Sequence, residues 1–379
     1  MTGAPARADA PSSARLHVAV CTDGVFPHAM GGMQRHSRLL VEHLARTGRV
    51  ELTVLHPHAP GIFHGLPHVR EVALPPIDTQ RLYLRELWRY SKQTAAALRQ
   101  VEPDVILSQG FSVWADVDRF KDKLVFHPHG LEMFQGLTRK ERAMGWPFRL
   151  LVRHLARRAR FTISLGGKLT GILHAIGSRG VAVIPNAVEV PGAPSAGTPP
   201  PGPVRFLFVG RFAFNKGIDV LMKVAQRLAD TQVPALFQLA GDGPLLQQYK
   251  ATGLPANVEL LGRVDDDLLF RLYAESDCFV LPTRFEGMPT VVLEAMARAC
   301  PVVVSDVGAT ADQVVDGTTG LLLPPGDEEA LYQGLLRFCR MDPAQRRAMG
   351  LAGHAWARER FDWPQVAQEF LSLFGQVRK

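Results

Sequence analysis

The 379-residue chain holds no run of eighteen or more apolar residues, so no stretch of it reads as a membrane-crossing helix. Its first fourteen residues, rich in alanine and proline, lack the apolar centre of a secretion signal and read as a disordered tail. Cysteine is scarce, and Cys21, Cys278, Cys300 and Cys339 show no paired spacing. That argues against a disulfide framework and a zinc knuckle, and it fits buried thiols in a reducing, cytoplasmic compartment. The phosphate-cradling spacing Gly-x4-Gly-Lys-Ser/Thr is missing. Acidic residues are short in the first half alone: residues 1–190 carry 25 Lys+Arg against 15 Asp+Glu, a net of +10. The chain totals of 43 and 36 leave 18 against 21 for the remainder, a net of −3. Such a half suits an anionic lipid surface, a phosphorylated acceptor or nucleic acid, and a solubility bias is the plainer alternative.

What is present is core. A hydrophobic content of 46% over this length supports about two domains. In the first half, strand patterns at 15–23, 50–56, 104–109, 123–127, 161–165 and 181–185 alternate with helical patterns at 33–46, 81–100, 138–160 and 168–176. This alternation predicts parallel crossovers and a doubly wound sheet over 15–190. Residues 191–203, Pro-Gly-Ala-Pro-Ser-Ala-Gly-Thr-Pro-Pro-Pro-Gly-Pro, cannot enter a core and read as a semi-rigid linker. Strand patterns at 204–210, 236–240, 258–261, 278–281, 302–305 and 320–323, with helices between them, predict a second such sheet over 204–361. Asp265-Asp-Asp267 reads as a helix cap. In 362–379, Trp363, Val366, Phe370, Leu373 and Val377 form a stripe behind Asp362 that has to pack somewhere, and one option is back across onto the first domain.

The chain is organised around 283–301, Thr-Arg-Phe-Glu-Gly-Met-Pro-Thr-Val-Val-Leu-Glu-Ala-Met-Ala-Arg-Ala-Cys-Pro. A helix is expected to start near Pro289, with Glu286 in the preceding loop and Glu294 one to two turns in. Gly287 lets backbone approach a ligand, and the first-turn N–H groups of the helix favour an anion such as phosphate. Two carboxylates beside a diphosphate make sense only if each accepts from a hydroxyl, which a nucleotide-sugar supplies. The plain alternative is a strand–loop–helix crossover with both glutamates in water. After the strand at 204–210, Gly210-Arg211-Phe-Ala-Phe-Asn-Lys216-Gly217 would set two cations beside a phosphate, or merely two surface bases. A charge-assisted hydrogen bond contributes roughly 1.5–3 kcal/mol. Gly31-Gly32 ends the first strand with pliable backbone, and a plain turn fits it equally. His127-x-His129 at a strand end could hold a metal, but no further His–carboxylate set completes a site, and an imidazole bonding a sugar hydroxyl is the better reading. Segment 139–160 interleaves eight basic residues with Trp146, Phe148, Leu150, Leu151, Val152 and Leu155, which suits an interfacial membrane helix or a core helix with a basic outer face.

Assembled, these residues resemble the retaining family-4 (group 1) glycosyltransferases. The resemblance rests on Glu286-x7-Glu294, Gly210-Arg211…Lys216-Gly217, His129-Gly130, Pro185-Asn186 and Gly320-Leu-Leu-Leu-Pro-Pro-Gly-Asp327. It implies an α/β GT-B fold, two Rossmann-like domains facing a central cleft. It further implies that Arg211 and Lys216 hold a diphosphate beside Gly31, Gly32 and Gly210. Glu294 would take the ribose hydroxyls. Glu286 and the backbone of Gly287, Met288, Pro289 and Thr290 would take the donor sugar and phosphate, and His129 would meet the sugar from the first domain. Glu132 is a candidate acceptor contact. Expected partners are a nucleoside-diphosphate sugar, with uracil or guanine as its base, and a glycan or lipid-linked acceptor. No metal or other cofactor is expected, an anionic inner membrane face suits the basic half, and nucleic acid is disfavoured. A nucleotide-sugar epimerase on the same plan, turning over donor without acceptor, and a non-catalytic basic binding module are the competing readings.

Overall fold

The computed structural model describes residues 15–78, 82–136, 139–193 and 202–378. The expected N-terminal tail and the middle of the Pro/Gly stretch lie outside them. The first half runs β1 (Leu16–Cys21), α1 (Gly32–Arg46), β2 (Val50–His56), β3 (Val69–Ala73), α2 (Tyr83–Val101), β4 (Val105–Gln109), α3 (Val117–Phe120), β5 (Leu124–His127), α4 (Arg139–Arg158), β6 (Phe161–Ser164), α5 (Gly167–Ala175) and β7 (Val181–Val183). The second runs β8 (Val204–Val209), α6 (Ile218–Asp230), β9 (Ala235–Ala240), α7 (Leu246–Thr252), β10 (Val258–Gly262), α8 (Asp266–Glu275), β11 (Cys278–Leu281), α9 (Thr290–Met296), β12 (Val302–Ser305), α10 (Thr310–Gln313), β13 (Gly320–Leu323), α11 (Glu328–Arg340), α12 (Pro343–Arg360) and α13 (Trp363–Arg378).

Each half makes one all-parallel sheet. The strand orders are β3-β2-β1-β4-β5-β6-β7 and β10-β9-β8-β11-β12-β13. Both therefore reverse direction once, between β1 and β4 and between β8 and β11. The loops that leave those strands open a crevice where a doubly wound sheet receives ligands. The central strands are buried on both faces (all five residues of β4, all four of β11), which is why they read as continuous apolar runs. Strand β3 went unread in the sequence because it is short, half-exposed and at the sheet edge.

Three apolar clusters hold the halves. One fills the second sheet and its helices. Another lies under β1, β2 and α1 and takes in Trp363, Val366, Phe370, Phe374 and Val377, so α13 packs on the first sheet. The third spans the seam and joins Leu165, Leu169 and Leu173 to Met288, Leu293, Ala297 and Ala309. The carboxylate of Asp362 accepts from the backbone N–H of Val190 at 3.3 Å, tying the crossover strand to the start of α13. Asp265 caps α8, accepting from Leu268 N–H at 2.8 Å.

Candidate active site

The β8–α6 loop meets the β11–α9 loop at the second switch point. Gly217, at φ 69°, permits this: a Cβ there would lie 1.9 Å from the Pro282 carbonyl oxygen. The turn ending in Lys216 consequently lies on the β11 loop, and the Lys216 ammonium pairs with Glu286 Oε1. Thr283 Oγ1 donates to the same oxygen at 3.2 Å. Arg211 sits on the same loop, exposed and without an ion pair among the described residues. Gly210 precedes it at the end of β8.

Across the seam stands the loop after β5. His129 is held at φ 60°, a conformation that costs a non-glycine residue roughly 1–3 kcal/mol and recurs at functional sites. Its Nε2–H donates to the side-chain oxygen of Gln109 at the end of β4. Gly287 packs directly against this loop, because a Cβ on it would stand 3.1 Å from Gly130 Cα and 3.4 Å from the His129 carbonyl oxygen. Gln135 donates to the Glu286 carbonyl at 3.0 Å and Asn186 to the Met288 carbonyl at 2.7 Å, so first-sheet side chains hold this backbone. Burial raises the Glu132 carboxyl, with the Glu286 charge adding to the rise and its own backbone N–H and Lys216 opposing it.

Pro289 is the N-cap rather than the first helical residue. The helix starts at Thr290 because Pro289 is extended (φ −68°, ψ 117°), and its carbonyl accepts from Gln313. With seven residues α9 has only a short dipole, so most of an anion's charge must be met by side chains. Glu294 faces a cavity of about 80 Å³ whose lining also includes Gly32, Arg35, His36 and Thr290. Burial raises the Glu294 carboxyl above its ordinary range, while Arg35, Arg298 and the Tyr273 hydroxyl, which donates to Oε2 at 3.2 Å, favour its charged form. Arg35 also clamps Asp266 of α8 at 3.0 and 3.1 Å and closes the seam at its rim. Ligand pockets usually measure about 300–1,000 Å³. At about 80 Å³ this end of the seam is smaller than such a pocket.

The structure thus gathers Lys216 and Glu286 into one pair, sets Gly287 against His129, and places Gly32, Thr290 and Glu294 around one cavity. Gly31 caps α1 at the mouth of that helix. Sequence reading missed Arg35 and His36, although they lie one turn beyond Gly31-Gly32. It missed Tyr273, whose relation to Glu294 depends on packing, and also Arg298, whose spacing from Glu294 in the sequence is that of one helical turn. His36 from α1 joins His127 and His129, and burial depresses all three imidazoles, His36 to about 3.

Residues 30–190 match the family described as Glycosyltransferase Family 4, and residues 203–340 match Glycosyl transferases group 1. The chain is 34% identical over 263 residues to a phosphatidyl-myo-inositol mannosyltransferase of Mycobacterium tuberculosis, covering 65% of this chain and 64% of that one. It spans about half the length of the glycogen synthases of Mycobacterium tuberculosis that it also matches. Sucrose-phosphate synthase from Thermosynechococcus elongatus superposes with a TM-score of 0.79 at 22% identity, over 96% of this chain and 99% of that one. The Anabaena protein HepE in complex with UDP-glucose does so at 0.70 and 19%, over 96% and 100%. These likenesses show two facing domains of GT-B type.

Proposed function

The chain belongs to the group 1, family-4 glycosyltransferases, and from that membership we propose that it moves a hexosyl unit from a nucleoside-diphosphate sugar to a glycan or lipid-linked acceptor, retaining the anomeric configuration. The observation that carries this reading is the Lys216–Glu286 pair, set where Gly287 meets the His129-Gly130 loop of the opposite sheet. Lys216 and Arg211 neutralise the departing diphosphate, so the transfer needs no divalent cation. Glu286 accepts from hydroxyls of the donor sugar, Glu294 from those of the ribose, and His129 approaches the sugar from the first domain. The acceptor oxygen bonds to the anomeric carbon on the face the diphosphate leaves. The C–O bond electrons go to the diphosphate, and the acceptor's proton passes to a phosphate oxygen.

The UDP-glucose held by HepE supports a UDP-sugar, with GDP as the alternative. The mannosyltransferase relative supports a lipid-linked acceptor and a place in glycolipid or cell-surface polysaccharide synthesis. Among the described residues no helix is long and apolar enough to cross a membrane. Met144, Trp146 and Leu150 of α4 stand 67%, 59% and 46% exposed between Arg142, Arg149 and Arg153, which supports peripheral contact with an anionic inner membrane face.

Removing one stabiliser of developing charge typically costs about 10²–10³ in rate. Lys216→Ala is expected to keep the fold and lose turnover on that scale, while Glu294→Ala weakens nucleoside-diphosphate binding in calorimetry. Near-normal rates in the first, or unchanged affinity in the second, refute the role assigned to that residue.

A further inference from the structure

His36, on the second turn of α1, reaches over the end of β5 to His127 and His129. The ring centroids of His127 and His129 stack 3.8 Å apart, and His36 meets them edge-on at 5.2 and 5.0 Å. One nitrogen from each ring lies within 4.8 Å of the others. His36 is 4% and His127 0% exposed, and both nitrogens of each ring are buried without a hydrogen-bond partner. An unpaired buried polar atom costs roughly 1–3 kcal/mol. One nitrogen each of His36 and His127 faces the cluster, where a single ligand would give both a partner.

We propose that His36, His127 and His129 form a binding site for a zinc-class divalent transition metal ion, and that the ion and the donor sugar exclude one another. Three imidazoles with one open position make a known zinc arrangement, with Zn–N near 2.0–2.1 Å. Tetrahedral ligation places such nitrogens roughly 3.4 Å apart, so rotations of the rings within reach of the observed spacing close the site. Nitrogen ligands without a carboxylate favour Zn²⁺, Ni²⁺ or Cu²⁺ over Mg²⁺ or Ca²⁺. His36 borders the cavity shared with Gly32 and Glu294, and His129 is half-buried, so an ion would enter from that side. Exclusion follows from His129, which serves both ligands; this half of the proposal rests on the donor-sugar role given to it above.

The test uses the full chain stripped with a chelator. Titration with Co²⁺, read by its tetrahedral ligand-field absorption, and with Zn²⁺, read by calorimetry, is expected to show one ion per chain. His36→Leu and His127→Leu each abolish both signals. Apolar replacement of an unpaired buried ring should leave the melting temperature equal or higher, which shows that each variant folds. Absence of the signals in the wild-type chain, or their persistence in a folded variant, overturns the site; a buried water on the unpaired nitrogens gives the first of these outcomes. Saturating Zn²⁺ is further expected to weaken UDP-sugar binding at least tenfold in the wild type and not in His36→Leu. One ion per chain without that competition keeps the site and removes His129 from the donor sugar. No ion bound rejects the site and leaves the transferase reading intact.

Discussion

Asp23 follows β1 at the first switch point, and its carboxyl is enclosed with Gln34 as a hydrogen-bond donor at 3.3 Å. Burial raises it from 3.8 to about 6. Folding therefore favours its protonated form. That contribution is fully present below about pH 4 and is lost as pH rises through 6. Asp23→Asn is expected to gain on the order of 2–3 kcal/mol at pH 8, with the gain shrinking toward zero near pH 4. Denaturant melts at the two pH values check this, and equal gains at both would rule it out. Sequence could not flag Asp23, since a lone aspartate after a strand is common and only the fold encloses it. It did flag Glu286 and Glu294, because their spacing and flanking strands mark a crossover loop. The partners those carboxylates find on other segments (Lys216, Arg35, Tyr273) became visible only once the segments were packed together.

At the scale of elements, α4 divides its work along its length. Leu151, Val152, Leu155 and Ala156 enter the core, while Met144, Trp146 and Leu150 stay outside. The core-helix reading of its sequence pattern thus holds for the later turns, and the proposed membrane contact rests on the exposed apolar residues of the earlier ones. Trp146→Glu with Leu150→Glu is expected to lower binding to anionic phosphatidylglycerol vesicles about tenfold without altering the melting temperature, because both side chains face solvent. Co-sedimentation at low and high salt measures it, and undiminished binding would remove α4 from membrane contact. The strong periodicities of β1, β2, β4, α1 and α6 made these elements legible. Edge strand β3 was not, because a half-exposed five-residue strand carries too weak a pattern. The destination of α13 was open for another reason: an apolar stripe announces burial without naming the surface that receives it.

For the whole molecule, the relevant magnitude is what holds the two sheets together. The Arg35–Asp266 bridge is partly solvated, at 33% and 47% exposure, and such pairs contribute about 0–1 kcal/mol. Met288 lies buried in the cluster that spans the seam, where truncation of such a side chain costs roughly 2–5 kcal/mol. Asp266→Ala is expected to melt within about 1 kcal/mol of wild type, whereas Met288→Ala destabilises severalfold more and expands the particle in small-angle scattering. The reverse order would mean that charge rather than apolar contact closes the domains. Helix α13 adds a dependence across the chain. Trp363, Phe370 and Phe374 complete the core of the first sheet, although the whole second sheet intervenes in sequence. A fragment cut between the two sheets would carry the first with an unsheltered greasy flank, so neither half is a self-sufficient folding unit.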